Sequence, residues 1–582
     1  MKLSNNILST TFRKMKHDMP PLVLASVYRL FPLLFITSVL EVFGLVIIFP
    51  VINILLDPSS ITRSAVLSKL YTVFRADNTV SFVLILMLLI TAFFLLKNLV
   101  IYHASKRRTG IAYEMANRLA TTKYSRYLSQ SYSYFAENNT AVMLRNITQI
   151  PFEFATYVLL PFATILNELF ILTILVVIMT IFDPVLFLSI LLFTLPFGLL
   201  YNSVYRKKLR EISERRNRES AAIYKAGMQS LEGFREIVVF NKLNYFKPWF
   251  KRSVENYSRS NSFVYLLNVF SPKIVETVAV MCISAIFISG FLFGKDIRQL
   301  GQFLVMFSLA AFQIIPSMNK IILSGNYIKS SAFTIDHFTR DEVEDAEPAR
   351  SAAPKLEFKR ELRIRDLSFR YRDAQDRVLD NVNLEVKKGE TIGIIGPSGS
   401  GKSTLLNILL RLYKEQQGGI YVDDRHIGEL EILAWYDLVS YVPQNITLLD
   451  GTITENIAFG IGAAEIDRER LWKCIERAQL SEFINSLPGK ENTQVGENGI
   501  KLSGGQKQRI GIARALYHGG SILIFDEATS ALDTETERMV TESIYSISHQ
   551  DLTIIIVAHR LETLKYCDRI YKIEKGKIAL KN

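Results

Sequence analysis

The sequence predicts a polytopic α-helical membrane domain with six transmembrane helices, fused to an α/β domain built on a phosphate loop. Three observations carry this. Over residues 1–338 long apolar runs recur at membrane-spanning length. Over 356–582 short β-branched runs alternate with helical stretches and glycine turns, as in an α/β domain. One of those turns reads Gly396-Pro397-Ser398-Gly399-Ser400-Gly401-Lys402-Ser403, the pattern of a phosphate loop. Between the halves, residues 339–355 are acidic and then Ala/Pro-containing, which predicts a linker.

The apolar runs are Leu30–Leu55, Ser81–His103, Thr156–Phe182, Val185–Tyr201, Ile274–Phe293 and Phe303–Leu323. Each is near the ~20 residues that cross a bilayer. Asp183-Pro184 alone separates the third from the fourth, so these two should form a tight hairpin. The first is not expected to be a cleaved signal peptide, because no small-residue cleavage site follows it. Residues 205–260 hold 14 Lys/Arg against 6 Asp/Glu, and Lys106-Arg107-Arg108 follows the second run. Positive loops stay cytoplasmic, so both termini and both long loops are expected there. The net charge of +12 is largely absorbed by this topology, and no nucleic-acid partner is expected. The expected location is the inner (cytoplasmic) membrane, with the α/β domain in the cytoplasm. The two long loops read as helical stalks. Cys282, Cys474 and Cys567 are far apart and form neither a disulfide framework nor a zinc motif.

The phosphate loop has the right context. Thr391–Ile395 is a β-branched run and Thr404–Leu412 has a helical pattern, giving strand–loop–helix. Glycines let backbone N–H groups turn toward phosphates, and a helix N-terminus adds partial positive charge. Lys402 is expected on the β- and γ-phosphates of ATP, and the Ser403 hydroxyl on Mg2+, with Thr404 adjoining. Ile522–Phe525 is a second buried strand ending in Asp526-Glu527. Asp526 would hold Mg2+, and Glu527 would polarise the attacking water, since a general base must be a carboxylate near the γ-phosphate.

Leu502-Ser503-Gly504-Gly505-Gln506 then specifies the kind of nucleotide site. It resembles the signature motif of ATP-binding-cassette (ABC) ATPases, and residues 356–582 resemble a complete cassette. The resemblance implies further roles. Tyr371 would stack on adenine. Gln444 would sense Mg2+ and the γ-phosphate and also ligand the metal. His559 would contact the γ-phosphate and orient Glu527. Val495-Gly496-Glu497 matches a short loop that touches the membrane domain. Asp533, in Ser530-Ala531-Leu532-Asp533, would cross a dimer. Ser503, Gly504, Gly505 and Gln506 would complete the ATP site of a second identical chain. Six spans before one cassette resemble half of an ABC exporter, so a homodimer with two equivalent ATP sites is implied.

The cargo is read from weaker signals. Glu41, Glu168, Asn167 and Lys97 fall inside apolar runs, where polar groups face a cavity or a partner. Lys97 either does so or snorkels to the surface. Lys97, Lys106, Arg107, Lys273 and Lys320 either attract a phosphate or are ordinary positive flanks. The outer loop carries Val66, Leu67, Leu70, Tyr71 and Phe74 on one helical face. That stripe either binds the tail of a lipid or covers its neighbours. Aromatics near Ser129–Ala141 and Asn244–Phe250 either dock on the cassettes as short coupling helices or pack locally.

With Glu41, Pro50, the 61–75 segment and Pro316-Ser317-Met318-Asn319-Lys320, the chain resembles bacterial lipid-linked oligosaccharide flippases of the PglK type. That resemblance implies ATP-driven movement of a polyprenyl-pyrophosphate glycan from the inner to the outer leaflet, with membrane lipids as partners. Export of a peptide, of lipid A or of a hydrophobic drug, and an ATP-gated channel or receptor, remain the alternatives.

Overall fold

The computed structural model describes residues 21–56, 58–182, 184–292, 297–339, 356–372, 374–527, 537–538, 541–542, 544–545 and 552–581. The chain divides into two compact units, 1–130 with 135–344, and 131–134 with 345–582. The expected linker, apart from residue 339, lies outside the described residues, as do Asp183 and Asp533.

The first unit is helical. The first apolar run is split into α1 (Pro21–Val46) and α2 (Phe49–Leu56). Pro50 lacks the N–H that a continuous helix would donate to Val46, so the chain turns at Ile47-Ile48 and restarts with proline in the first turn. The outer-loop stripe forms α3 (Ala65–Val73), whose first turn is capped by Ser64 accepting from the Leu67 amide. Next, α4 (Thr79–Leu128) is 50 residues long and starts where Asn78 Oδ1 accepts from the Ser81 amide at 2.8 Å. At 1.5 Å per residue this is ~75 Å, against ~30 Å of bilayer hydrocarbon. A short helix α5 (Tyr132–Glu137) and α6 (Thr140–Thr148) follow.

The third run begins unusually. After α7 (Ile150–Phe154) comes one π-helical turn, Ala155–Leu159, and then α8 (Leu160–Phe182). Pro161 has no N–H to offer, and the widened turn relieves its clash with the preceding carbonyls. The remaining helices are α9 (Pro184–Glu232), α10 (Phe234–Val239), α11 (Leu243–Leu292), α12 (Ile297–Ser330) and α13 (Phe333–Thr339).

Among the described residues, four helical stretches are long and apolar enough to cross a membrane: Leu30–Leu55, Thr79–Leu128, Thr140–Ile178 and Leu243–Met281. The expected fourth and sixth spans lie within α9 and α12. On α4, Leu84, Leu88, Leu95 and Leu99 are exposed at i, i+4, i+11 and i+15, one continuous apolar face of the kind hydrocarbon covers. One expectation is corrected. Asn244–Phe250 is the opening of the long α11, not a separate short helix. The break comes earlier, where Gly233 ends α9 and Asn241 turns the chain at φ +53°, leaving α10 as the isolated piece.

Three buried cations from three helices donate to carbonyls at the end of α12, in α13 and on α9. Arg216 Nη1 donates to the Ser330 carbonyl at 3.2 Å, and Lys123 Nζ to the His337 carbonyl at 2.6 Å. Arg145, 1% exposed, donates to the Asn217 carbonyl and to its Oδ1, both at 2.8 Å.

The second unit contains two sheets. An antiparallel sheet has the order β2-β1-β4-β5, from β1 (Glu361–Phe369), β2 (Leu379–Lys387), β4 (Gln417–Val422) and β5 (Arg425–His426). The larger sheet has the order β10-β9-β3-β8-β7-β6. Its strands are β3 (Thr391–Ile395), β6 (Val439–Val442), β7 (Ile522–Asp526), β8 (Thr553–Ala558), β9 (Arg569–Glu574) and β10 (Lys577–Leu580). From β9 to β6 all neighbours are parallel, and only β10 is antiparallel. Ile392, Ile394, Ile524, Ile555 and Val557 lie on the face toward one core; Leu523, Phe525, Ile554 and Ile556 face the other. Burial on both faces explains the unbroken apolar runs.

Candidate functional site

Parallel strands end on the same side, so the loops after β3, β8, β7 and β6 emerge together at one edge of the sheet. The register is close. Ile395 pairs with Ala558, Phe525 with Ile556 and Val442 with Phe525. Gly396, His559, Glu527 and Gln444 therefore follow neighbouring strand ends, although they span residues 396 to 559 in the chain.

The phosphate loop needs its glycines for different reasons. A Cβ on Gly396 would lie 2.3 Å from the Ile573 carbonyl oxygen, so the backbone there tolerates no side chain. Gly399 and Gly401 adopt φ +76° and +106°. Gly401 precedes α14 (Lys402–Leu409), whose N-terminus therefore opens on the loop. Lys402 is buried and its Nζ donates to the Gly396 and Pro397 carbonyls at 2.8 and 3.0 Å. Burial pushes its ammonium below the usual lysine value, while Glu527 and Asp526 pull it back up. Among the described residues the buried Ser400 hydroxyl has no hydrogen-bond partner. Ser403 is exposed and Thr404 is buried. The Thr404 hydroxyl lies 3.0 Å from that of Tyr371, which ties the residue expected on adenine to the phosphate-loop helix.

Glu527 is held from two sides. His559 Nε2 is 2.7 Å from its Oε1, and Gln444 Nε2 donates to its Oε2 at 2.9 Å. Its φ of +45° is in the left-handed region, and its amide donates to the Val557 carbonyl at 2.9 Å. The backbone thus turns sharply at the strand end. Asp526 accepts from the Tyr441 hydroxyl at 3.2 Å. Burial raises the Asp526 carboxyl above its usual value and Glu527 adds to this, while Tyr441 and Lys402 oppose it. Burial and the neighbouring Asp526 together push the Tyr441 phenol above the usual tyrosine range.

Tyr441 has no role in the sequence-level reading. The signal was present, because it stands three residues before Gln444, but which strand lies beside β6 is a tertiary fact. Oxygen donors are what Mg2+ takes, and the Ser403 hydroxyl and the Asp526 carboxylate fit it. Among the described residues no group of three or more His, Cys, Asp or Glu could hold a metal. A cation here would draw its other ligands from phosphate and water, which is the usual habit of Mg2+. The Gln444 amide nitrogen donates to Glu527, and of its two amide atoms the oxygen is the one with lone pairs suited to a metal.

The signature segment is a helix start. Ser503 Oγ accepts from the Gln506 amide at 3.3 Å and Gln506 Oε1 accepts from the Ser503 amide at 2.9 Å, a reciprocal capping box. They open α15 (Gly504–His518). Both side chains are thus used to present Gly504 and Gly505 at a helix N-terminus, where amide donors suit an anion.

In the membrane half, the polar residues inside apolar runs have found partners. Glu168 is 1% exposed, and its two oxygens accept from Ser317 Oγ at 2.6 Å and Lys320 Nζ at 2.8 Å. Gln313 Nε2 donates to Glu41 Oε2 at 3.2 Å. Gln313, Ser317 and Lys320 are spaced i, i+4, i+7, so one stripe of α12 serves both acids. Thr37 and Ser38 hydroxyls reach Asn167 Oδ1 at 2.9 and 3.2 Å. Lys97 Nζ lies 4.2 Å above the Phe94 ring. Of the apolar stripe on α3, Leu67, Leu70, Tyr71 and Phe74 pack with Ile54, Ile61 and Phe82, whereas Val66 is exposed.

Comparison with known proteins agrees with this architecture. Residues 33–318 match the family described as the ABC transporter transmembrane region, and residues 379–530 match the ABC transporter family. The chain is similar to the ABC transporter B family member 29, chloroplastic, of Arabidopsis thaliana, with 37% identity over 53% of this chain and 48% of the relative. It is also similar to the ATP-dependent lipid A-core flippase of Francisella tularensis subsp. tularensis (strain FSC 198), with 33% identity over 66% of this chain and 63% of that protein. The alignments therefore span about half to just under two thirds of these two relatives. Among solved structures, a bacterial Atm1-family ABC exporter with ATP bound superposes with a TM-score of 0.76 over 96% of this chain and 94% of that one, at 24% identity. The fold is an exporter-type transmembrane helical domain joined to an ABC ATPase domain.

Proposed function

We propose that this chain, of ABC exporter type in both halves, is an ATP-driven lipid flippase that works as a homodimer in the inner membrane. The observation that carries the ATPase reading is the double hold on Glu527 by His559 and Gln444, at the sheet edge where the phosphate loop also opens. The phosphate loop, Lys402 and Ser400 would bind the phosphates, and Tyr371 the adenine. Mg2+ held by Ser403, Asp526 and Gln444 would neutralise charge on the β- and γ-phosphates. Glu527 would take a proton as water attacks the γ-phosphorus and the bond to the ADP oxygen breaks. His559, bonded to Glu527, would fix the direction of that carboxylate. Ser503–Gln506 would present the α15 N-terminus to the γ-phosphate of the partner chain, and Asp533 would cross between the two chains.

For the cargo we infer a lipid carrying an anionic head group, a polyprenyl-pyrophosphate glycan by the resemblance of the membrane half. The flippases among the relatives favour a lipid over a peptide and support lipid A-core as the second reading. Two findings bear on how such a lipid would be held. Lys320 is engaged by Glu168, so a pyrophosphate there competes with a carboxylate. Four of the five α3 stripe residues pack on their neighbours and Val66 is exposed, which favours packing over tail binding for that face.

The test is reconstitution of the full chain in liposomes. ATPase stimulation and leaflet transfer are measured with polyprenyl-pyrophosphate glycan, lipid A-core and a hydrophobic peptide. Stimulation by the glycan and its transfer support the first reading. Response to lipid A-core alone replaces it with the second, and passive flux without ATP turnover overturns the transporter reading.

A further inference from the structure

We propose that Tyr441 is a positioning residue for the metal-side carboxylate, its hydroxyl occupying one oxygen of Asp526 and leaving the other for the cation. This rests on the ATP–Mg2+ reading of the site.

The geometry is specific. β6 lies beside β7, with Tyr441 paired to Ile524 in parallel register. Asp526 is two residues beyond Ile524, and the Tyr441 side chain reaches forward to Oδ2 at 3.2 Å. A phenol donor satisfies one carboxylate oxygen and sets the plane of the group, so Oδ1 becomes the oxygen available to a metal. The tyrosine is itself fixed. Its ring packs against the buried cluster that includes Val439, Ile522 and Ile524, and the adjacent Ser440 hydroxyl accepts from the Gly520 amide at 3.0 Å.

The same short segment grips both acids. Tyr441 holds Asp526, and Gln444 holds Glu527. The Gln508 amide on α15 reaches the Pro443 carbonyl at 3.5 Å, so the signature helix touches this segment as well. A partner that orients a metal-binding carboxylate in this way tunes affinity by about ten- to a hundred-fold. Water can partly replace a phenol at a site open to nucleotide, so an effect at or below the bottom of that range is expected here.

The experiment compares Tyr441 with Tyr441→Phe in full-length protein carrying Glu527→Gln, so that nucleotide is not consumed. Fluorescent ATP-analogue binding is titrated with Mg2+, and repeated in EDTA. The phenylalanine keeps the ring and removes only the hydroxyl, and thermal denaturation without nucleotide confirms an intact fold. The half-saturating Mg2+ concentration should rise about three- to ten-fold, with binding in EDTA unchanged. A shift below two-fold, or an equal loss with and without Mg2+, overturns the role of Tyr441. If the protein with Tyr441 intact binds the analogue without any Mg2+ dependence, the metal reading of the site falls with it. Should Tyr441→Phe denature early, Tyr441→His, which keeps a ring and restores a donor, must recover Mg2+ dependence for the proposal to stand.

Discussion

His559 Nε2 stands 2.7 Å from Glu527 Oε1. The two residues are 32 positions apart in the chain, yet β8 and β7 are neighbours, so a histidine after one strand meets a carboxylate at the end of the other. With Gln444 on the second oxygen, Glu527 is restrained to one orientation, 11% exposed. A carboxylate aimed this way is pre-organised for the proposed role of base, whereas a free carboxylate at a strand end would sample many directions.

Glu527→Gln should lower ATP turnover by about 10²–10⁴-fold while nucleotide remains bound. His559→Ala releases one oxygen and should cost about 10²-fold, the scale expected for a misplaced catalytic group. Both are read by phosphate release and by retained nucleotide on the purified protein. Normal turnover in Glu527→Gln would remove it from the role of base.

Lys320→Met leaves the Glu168 carboxylate buried beside Ser317 without its ammonium. Breaking a fully buried pair costs about 3–5 kcal/mol, but the Lys320 side chain is 46% exposed, so about 1–3 kcal/mol is expected. Adding Glu168→Gln should recover most of the loss, since the uncompensated charge is gone. Thermal unfolding in lipid nanodiscs of the single and double variants tests this. A double variant no more stable than Lys320→Met would mean the pair is not coupled.

The outer helix separates packing from lipid contact. Leu67 is buried against Ile54 and Phe82, so Leu67→Ala should destabilise by about 2–3 kcal/mol. Val66 and Val73 are 69% and 66% exposed, so Val66→Asp with Val73→Asp should change stability by less than about 1 kcal/mol. Glycolipid transfer that is unaffected by the valine pair would show that α3 does not hold the tail.

Cys567 should resist alkylation. Burial pushes its thiol up to about 11, against about 8.5 for an unfolded cysteine. The unfolded chain therefore loses this proton first, and the associated stability is lost as pH rises from about 8.5 toward 11. At pH 9, iodoacetamide should label Cys567 at least about tenfold more slowly in the folded protein than in the denatured one. Equal rates by peptide mass spectrometry would refute the assignment.

The glycine loop and the capped helix start of the ATPase domain were legible because their chemistry is local. Gly396–Ser403 must be a glycine loop between a strand and a helix, and Ser503 with Gln506 must cap a helix, wherever the rest of the chain goes. That long apolar helices occur was legible for the same reason, since length and apolarity are properties of a segment, and four such stretches stand among the described residues. Helix interruptions were less so. The Ile47-Ile48 turn and the π turn before Pro161 each follow from a proline, but whether a proline kinks, breaks or widens a helix depends on what packs around it.

By itself the sequence determined the two-part architecture, the segments that can lie in a membrane and the residue types at the nucleotide site, because each is encoded within a few turns or one strand. Only the tertiary structure decided which side chains meet. The strand order β3-β8-β7-β6 brings His559 and Gln444 to Glu527, and Tyr441 to Asp526. Helix packing commits Lys320 to Glu168, and Leu67, Leu70, Tyr71 and Phe74 to their neighbours. The physical reason is that burial drives polar groups and apolar faces to take partners, while the identity of each partner is set by non-local pairing.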